Sequence, residues 1–427
     1  MERGLDAGRV PLAIYGDAEI AALELERIFA RNWLFVAHES ELPSPGDYVV
    51  RSVADGRWIV VRSDDGVVRA FLDSCRHRGV QVTRADKGCA SSFRCPYHGW
   101  TYKNDGSLIG VPNRAEAYKQ IDTTRWGLNA APRIDSYRGL IFVCLDPQAP
   151  SLRDHLGGFR WYLDTNLGAA SGMSVVGEPH RWVINANWKS PCENFAGDSY
   201  HTPMLHHSIV EIGLLQTLAS GAYDVHVTEI SGHATSLRRV PPGSDTFWGY
   251  PPEVHADFEA GDLEPEQLDL ARGSINSVAT IFPNLSLLHS AFRVDPDKPR
   301  AGYLSLRQWQ PLSASQVEIW SWVLLPNVLS EEERERAYRA AVGTFSPSGI
   351  FEQDDAIVWT GIPRSGGTIY TKLASPPLNF EMGLDGMSEA KVMPSWPGPG
   401  IAYDARLEEG TQRTFLRRWL KDMYGAF

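Results

Sequence analysis

The chain has 427 residues, of which 43% are hydrophobic and 22% are charged, as in a globular protein with a sizeable core and two or three domains. Its net charge of −11 argues against nucleic acid or an anionic membrane surface as a partner. No apolar run is long enough to span a membrane, and the first ten residues lack a signal-peptide core, so we expect a cytoplasmic protein.

The first predicted elements are one helix and then a series of strands. Residues 17–34 predict a helix, because Asp17 can act as its N-cap and apolar residues recur at helical spacing. From about residue 46 the pattern alternates, and "RWIVVRSDDGVVRAFLDSC" predicts two strands joined at Asp65-Gly66. Extended segments continue to residue 146, where two prolines follow. We therefore predict a small β domain at residues 40–155, preceded by a helical segment at residues 1–39.

The remainder, residues 156–427, predicts a larger domain of mixed structure. Residues 186–208 look helical in part, and "AGYLSLRQWQ" and "QVEIWSWVLL" alternate as two paired strands. The segment "SEEERERAYRAAVGTF" begins with Ser330 and Glu333 at capping-box spacing and predicts a helix. Two stretches rich in proline and glycine, near residues 240–265 and 374–403, predict long surface loops.

Four potential metal ligands lie within the predicted β domain. The segments "CRHRG" and "CPYHGW" each supply one cysteine and one histidine, and seventeen residues separate the two pairs. Structural zinc sites usually pair like with like, whereas a two-iron Rieske centre takes two cysteines at one iron and two histidines at the other. The spacing Cys-x-His-x17-Cys-x2-His therefore favours a [2Fe–2S] cluster over zinc or over unligated core residues. Its ligands would be Cys75, His77, Cys95 and His98.

Histidines cluster a second time in "NANWKSPCENFAGDSYHTPMLHH", residues 185–207. His201 and His206 are five residues apart, which places them about 140° apart on a regular helix. Pro203 predicts a break or kink that could turn both imidazoles toward one ion. Two histidines and a carboxylate form the facial triad of mononuclear non-haem iron(II). The alternative is two packed or exposed histidines beside a proline.

The two motifs together resemble the large (α) subunit of Rieske non-haem iron aromatic-ring-hydroxylating oxygenases. The spacing of Asp198, His201 and His206 matches the Asp-x2-His-x4-His pattern of this family, within the frame "NWK…EN…GD.YH". The resemblance extends to "TFSPSGIFEQDDA" at residues 344–356 and implies that Asp355 is the third iron ligand. Geometry leaves His207 open as an alternative to His206, and the family spacing favours His206.

The resemblance implies an α+β fold, with a small all-β Rieske domain and a larger catalytic domain in which helices cover an antiparallel sheet. It implies a homotrimer, or an α3β3 assembly with a small β subunit. A reductase, possibly through a ferredoxin, would bring electrons from NAD(P)H. In the family an aspartate matching Asp198 connects the two metal centres of neighbouring subunits. The substrate pocket would include Asn194, Phe195, Phe345 and Phe351.

The implied activity is that of a terminal oxygenase that uses dioxygen to hydroxylate an aromatic ring, with cis-dihydroxylation as the usual outcome. Monohydroxylation or demethylation by a Rieske monooxygenase is the alternative. A Rieske electron carrier is less favoured, because the chain beyond residue 155 has ligands of its own. A zinc-dependent binding module is less favoured too, because each ligand loop mixes cysteine with histidine. The sequence does not identify the aromatic substrate.

Overall fold

The computed structural model describes residues 2–212, 222–241, 243, 245–295, 297–384, 390–404 and 406–425. They divide into two compact units. The smaller unit is Phe29–Leu152, and the larger unit combines Met1–Ile28 with Arg153–Phe427. The predicted boundaries at residues 39/40 and 155/156 stay predictions. Within the described ranges, each helix is too short or too polar to cross a bilayer.

The smaller unit is built from three antiparallel sheets. The predicted strand pair is confirmed, because Gly56–Arg62 pairs with Val68–Leu72 on either side of the Asp65-Gly66 turn. The other strands are Leu34–His38, Asp47–Val53, Lys87–Cys89, Ser92–Arg94, Thr101–Lys103, Leu108–Gly110, Arg133–Tyr137 and Leu140–Cys144, and Arg114–Ala117 forms one helical turn.

The larger unit contains a ten-stranded antiparallel sheet. In spatial order its strands are Met173–Val175, Gln316–Pro326, Ala301–Ser313, Leu285–Phe292, Ser274–Ile281, Ala234–Arg239, Tyr223–Thr228, Ile401–Asp404 and Lys391–Val392, and His180–Ile184 also pairs with Gln316–Pro326. A two-stranded sheet joins Arg9–Pro11 to Pro377–Asn379.

Helices pack against the large sheet, notably Lys189–Gly197 and Glu331–Phe345. The α+β fold class is therefore confirmed. The other helices outside the smaller unit are Glu2–Asp6, Ala18–Glu24, Leu152–Leu156, Arg160–Asn166, Thr202–Leu205, His207–Glu211, Pro252–Glu259, Pro265–Gly273, Ile350–Gly366, Ile369–Ala374 and Gly410–Tyr424.

Two local predictions are wrong in part. The helix predicted at residues 17–34 begins as expected, with the Asp17 carboxylate accepting from two backbone N–H groups, but its helical turns end at Phe29. Leu34 instead starts a fully buried strand that pairs with Leu140–Cys144, so sheet pairing overrides the helical spacing. The loop predicted near 240–265 contains the helix Pro252–Glu259, whose first residue is a proline, as helix starts allow.

A buried ion pair connects three distant segments of the larger unit. Lys189 Nζ lies 2.5 Å from Glu24 Oε1, and both side chains are at most 2% exposed. Glu24 also accepts hydrogen bonds from the indole N–H groups of Trp188 and Trp419, at 2.8 and 2.7 Å. Lys189 begins the helix Lys189–Gly197, so this pair ties that helix to the N-terminal segment and to the last helix.

We expect Lys189→Met to destabilise the larger unit by about 3–5 kcal/mol, because it leaves the Glu24 carboxylate buried without its cation. The measurement is urea unfolding followed by tryptophan fluorescence. The double variant Glu24→Gln/Lys189→Met is the matched control, since it removes both charges and keeps an acceptor for the indoles. It should recover most of the lost stability; a single variant as stable as the unchanged protein would contradict the assignment.

Candidate metal centres

The four candidate ligands of the smaller unit lie on two loops with the same backbone turn. Cys75 N donates to the Val80 carbonyl and Cys95 N to the Trp100 carbonyl, each at 2.8 Å. The amides of Gly79 and Gly99 donate back to the carbonyls of Cys75 and Cys95. Both glycines have positive φ angles, +75° and +72°, which other residues rarely adopt. The turn therefore requires glycine at positions 79 and 99.

The thiols and the imidazoles of these loops lie in different surroundings. Cys75 and Cys95 are buried at 2% and 3% exposure, and burial, with the neighbouring Cys75 thiol, raises the pKa of Cys95. His77 is partly exposed and His98 exposed, and their rings are 4.6 Å apart. The Nδ1 atom of His77 is buried and has no hydrogen-bond partner in the part of the chain that is described.

This donor set fits a cluster with chemically different ends. Among the described residues, three ligand atoms that could share one ion converge within 4.8 Å only in the larger unit, so the four cysteine and histidine side chains do not close around a single zinc. A cysteine pair in the interior and a histidine pair toward solvent suit two irons of a Rieske centre.

In the larger unit, the three residues whose ligand atoms could bind one ion are His201, His206 and Asp355. Asp355 Oδ1 lies 3.6 Å from His201 Nε2 and 3.5 Å from His206 Nε2. That oxygen is buried and has no hydrogen-bond partner among the described residues, so a cation is the missing counterpart of its charge. The donor set matches the facial triad of non-haem iron(II).

The local backbone brings the histidines together differently from the prediction. The helix does not break at Pro203, which lies in the first turn of the short helix Thr202–Leu205, where a missing N–H is tolerated. His201 immediately precedes this helix, and His206 separates it from the helix His207–Glu211. Two interruptions on either side of the proline therefore replace the single kink. His207 is 63% exposed, with Nε2 3.4 Å from Glu211, away from the triad.

Each triad histidine has its second ring nitrogen beside a carboxylate. His206 Nδ1 is 3.1 Å from Asp354 Oδ2, and His201 Nδ1 is 3.3 Å from Asp198 Oδ2. Such carboxylates fix the tautomer and orientation of ligand imidazoles. Burial disfavours the charged imidazole, but the carboxylates of Asp198 and Asp355 together outweigh burial and raise the pKa of His201. The sequence analysis missed Asp354, although the adjacent pair of aspartates in "EQDDA" was a signal for it.

A pocket of about 300 Å³ includes the triad and all four residues that the resemblance implied, Asn194, Phe195, Phe345 and Phe351. The ring of Phe351 lies 5.0 Å from that of His206 and stacks on Phe345 at 5.2 Å. The Asn194 amide is 3.4 Å from His201 Nδ1. The pocket therefore presents aromatic faces next to the candidate metal.

One buried arginine supports both the pocket and the triad. Arg307 lies beneath Phe195 and Phe345, with ring centroids 5.5 and 5.2 Å from its guanidinium carbon. Its Nη1 donates to Glu352 at 2.5 Å, and both side chains are at most 1% exposed. Burial raises the pKa of Glu352 to about 7, against the opposing effect of Arg307. Glu352 precedes Asp355 by one helical turn, so Arg307 fixes the helix that carries the carboxylate ligand.

Comparison with known proteins matches both units to described families. Residues 32–132 match "Rieske [2Fe-2S] domain", and residues 160–390 match "Ring hydroxylating alpha subunit (catalytic domain)". The chain is 34% identical to the N,N-dimethyl phenylurea N-demethylase subunit alpha of Sphingobium sp. (strain YBL2), over 99% of this chain and 93% of that protein. It is 35% identical to the large oxygenase component of the naphthalene 1,2-dioxygenase system of Pseudomonas aeruginosa, over 95% and 89%.

A solved structure shows the same fold. Naphthalene 1,2-dioxygenase from Rhodococcus sp., bound to indole, superposes with a TM-score of 0.93 at 41% identity, over 99% of this chain and 97% of that one.

Replacing His77 by Cys should keep a cluster but lower its reduction potential by on the order of 100 mV, because a thiolate adds negative charge where imidazole is neutral. Redox titration followed by electron paramagnetic resonance measures the potential. Cys89→Ser is the matched control, since Cys89 is exposed and lies outside the ligand loops. A potential unchanged in His77→Cys would rule out His77 as a ligand.

His206→Ala should lose the mononuclear metal, because only two triad ligands remain, while the visible spectrum of the cluster persists. His207→Ala should keep full metal content, since its imidazole is exposed and directed elsewhere. Metal analysis of the purified variants decides between them. The reverse pattern would show that the ligand is the neighbouring histidine.

Proposed function

We propose a function for this chain on the basis of its family. The chain belongs to the Rieske non-haem iron aromatic-ring-hydroxylating oxygenases and is a large (α) subunit of that family. It is a terminal oxygenase component with a Rieske [2Fe–2S] cluster and a non-haem iron. The reaction we propose is cis-dihydroxylation of an aromatic ring. The observation that supports it most directly is the convergence of His201, His206 and Asp355 beside the aromatic faces of the pocket.

The ligands follow from the two donor sets. We assign Cys75, His77, Cys95 and His98 to the [2Fe–2S] cluster, and His201, His206 and Asp355 to the iron. When bound, the cluster supplies single electrons and the iron(II) activates dioxygen. We assign electron transfer to the predicted domain at 40–155 and oxygenation to that at 156–427. The predicted segment at 1–39 was expected to pack on the latter domain; its residues up to Ile28 belong to the larger unit, whereas its strand Leu34–His38 pairs within the smaller unit.

The remaining residues hold the reactants in place. Phe345 and Phe351 present ring faces that can bind an aromatic substrate beside His206. Asp354 and Asp198 orient the two ligand imidazoles.

Asp198 is proposed to connect the iron to an electron source outside its own unit. Besides the substrate pocket, it lines a second cavity of about 690 Å³, whose rim includes the exposed side chains of Tyr200 and Val358. Exposed apolar side chains around a concave surface are typical of a docking surface. We propose that a neighbouring subunit of a homotrimer, or of an α3β3 assembly with a small β subunit, brings its cluster to this surface. A reductase, with or without a ferredoxin, would draw the electrons from NAD(P)H.

Oxidative N-demethylation is the second candidate function. The relative from Sphingobium sp. is an N-demethylase subunit, and its alignment covers 99% of this chain at 34% identity. The same triad can serve both reactions, because the outcome depends on whether a ring carbon or an N-methyl group lies nearest the activated oxygen.

Product analysis with a surrogate reductase and ferredoxin tests the two functions. Naphthalene and an N,N-dimethyl phenylurea are supplied with ¹⁸O-labelled dioxygen, and His206→Ala serves as the control that lacks the mononuclear metal. We expect a cis-dihydrodiol that contains two labelled atoms. Formaldehyde release without ring diols would favour demethylation, and consumption of neither substrate class by a fully metal-loaded protein would count against both.

Asp198→Asn should bind both metals and keep its assembly, yet slow the reoxidation of the reduced cluster about tenfold or more, because the charged link to His201 is lost. Single-turnover decay of the reduced cluster absorbance, after addition of substrate and dioxygen, gives the rate. Glu211→Gln is the control, an exposed carboxylate on the adjacent helix. Decay of Asp198→Asn at the unchanged rate would make Asp198 a structural residue.

A further inference from the structure

One wall of the substrate pocket is a face of the large sheet, and one row of that face is polar. Asp224 lies directly opposite Arg238, and Arg238 lies opposite Asn276, on three neighbouring strands. Ser290 faces Tyr303 on the next two strands. All five side chains line the pocket. A pocket for a plain hydrocarbon needs none of these groups.

The arginine of this row is held in place. Its Nε and Nη2 donate to Oδ1 and Oδ2 of Asp224 at 2.9 and 3.1 Å, a paired geometry that fixes the plane of the guanidinium. The side chains of Arg238 and Asp224 are 22% and 9% exposed. No hydrogen bond of Arg238 Nη1 is found within the described ranges. The ion pair thus presents a fixed donor to the pocket.

This part of the pocket also contains a second guanidinium. Arg300, just before the strand Ala301–Ser313, lines the same pocket, and burial together with Arg293 lowers its pKa. Outside Asp198 and Asp355, which adjoin the metal, the described pocket lining contains two arginines and one carboxylate, Asp224.

The apolar part of the pocket lies next to the triad. Val278 and Leu288 oppose each other on the same sheet face and line the pocket with Phe345 and Phe351. Val278 is two residues from Asn276, so the polar row runs about 7 Å further along the strand. A ring placed against Val278 and Leu288 therefore leaves a substituent within reach of the polar row, while Phe292, whose ring centroid lies 6.2 Å from that of Phe351, borders the row on its other side. A substrate without an acceptor at that place would cut these partly buried donors off from water without replacing the lost hydrogen bonds.

We propose that the preferred substrate is an aromatic carboxylate, whose ring lies in the apolar part beside the triad and whose carboxylate accepts hydrogen bonds from Arg238, with Arg300 and Asn276 nearby. The proposal rests on the proposed oxygenase function, which it narrows to a substrate class. Arg238 and Asp224 act in binding and specificity, and take no part in the oxygenation itself.

Equilibrium dialysis of the oxidised, metal-loaded protein without reductant tests the proposal independently of turnover. The probes are 2-naphthoate, its neutral counterpart 2-naphthamide, and naphthalene, since the pocket volume is at the lower end for small-molecule sites. We expect 2-naphthoate to bind at least about tenfold more tightly than either neutral probe, the effect of one charge-assisted hydrogen bond.

The double variant Asp224→Asn/Arg238→Gln should abolish that preference. It removes both charges while the two amides can still bond to each other, and thermal unfolding checks that the sheet is intact. Arg300→Gln provides a second, independent variant, for which we expect a weaker preference. Arg364→Gln is the matched control, because Arg364 is exposed and outside this pocket, and it should keep the full preference.

Three results would overturn the proposal: equal binding of 2-naphthoate and 2-naphthamide, tighter binding of naphthalene, or a carboxylate preference that survives in both arginine variants. Failure of the proposed oxygenase function looks different. In that case 2-naphthoate would bind with the expected preference, but no probe would be oxidised when electrons and dioxygen are supplied.

Discussion

A carboxylate that is buried without a hydrogen-bond donor is the constraint on which the catalytic unit depends. Asp355 Oδ1 has no partner among the described residues and faces two imidazole nitrogens at 3.5–3.6 Å. A buried charge in that position is costly unless a cation lies beside it, so a bound metal ion would stabilise the folded unit. The Arg307–Glu352 pair fixes the helix that carries Asp355, and the same arginine supports the phenylalanines of the pocket. The metal, the helix and the substrate walls are therefore held by one set of contacts.

How much of this site could be predicted from the sequence depends on how far apart the interacting residues lie along the chain. The cysteine and histidine loops were predictable, because each is a local turn whose glycines and ligands lie within five or six residues. Asp355 was identified only through family resemblance, because a sequence pattern does not connect residues so far apart. The neighbouring pair of His206 and Asp354, for example, is separated by 148 positions. Leu34 shows the opposite error, in which a correct local periodicity was overridden by pairing with a strand more than a hundred residues away.

The polar row of the pocket could not be predicted from the sequence for a related reason. Its members come from different strands, and only the register of the sheet aligns Asp224 with Arg238 and Arg238 with Asn276. The apolar residues Val278 and Leu288 oppose each other on the same face, each two residues along its strand from the polar row. The sheet face thus sets the polarity of one wall of the pocket, whereas the triad residues come from helices and the turns between them.

The ion pair between Glu24 and Lys189 has a consequence for synthesis on the ribosome. Glu24 belongs to a unit that resumes only at residue 153, and its indole partner Trp419 lies 395 positions later. The smaller unit, continuous from Phe29 to Leu152, can fold while translation proceeds. The first 28 residues cannot complete their contacts until the last helix, which supplies Trp419 to Glu24, is also present. The larger unit is thus completed only after the helix Gly410–Tyr424 has been synthesised, and the smaller unit is the first that can form.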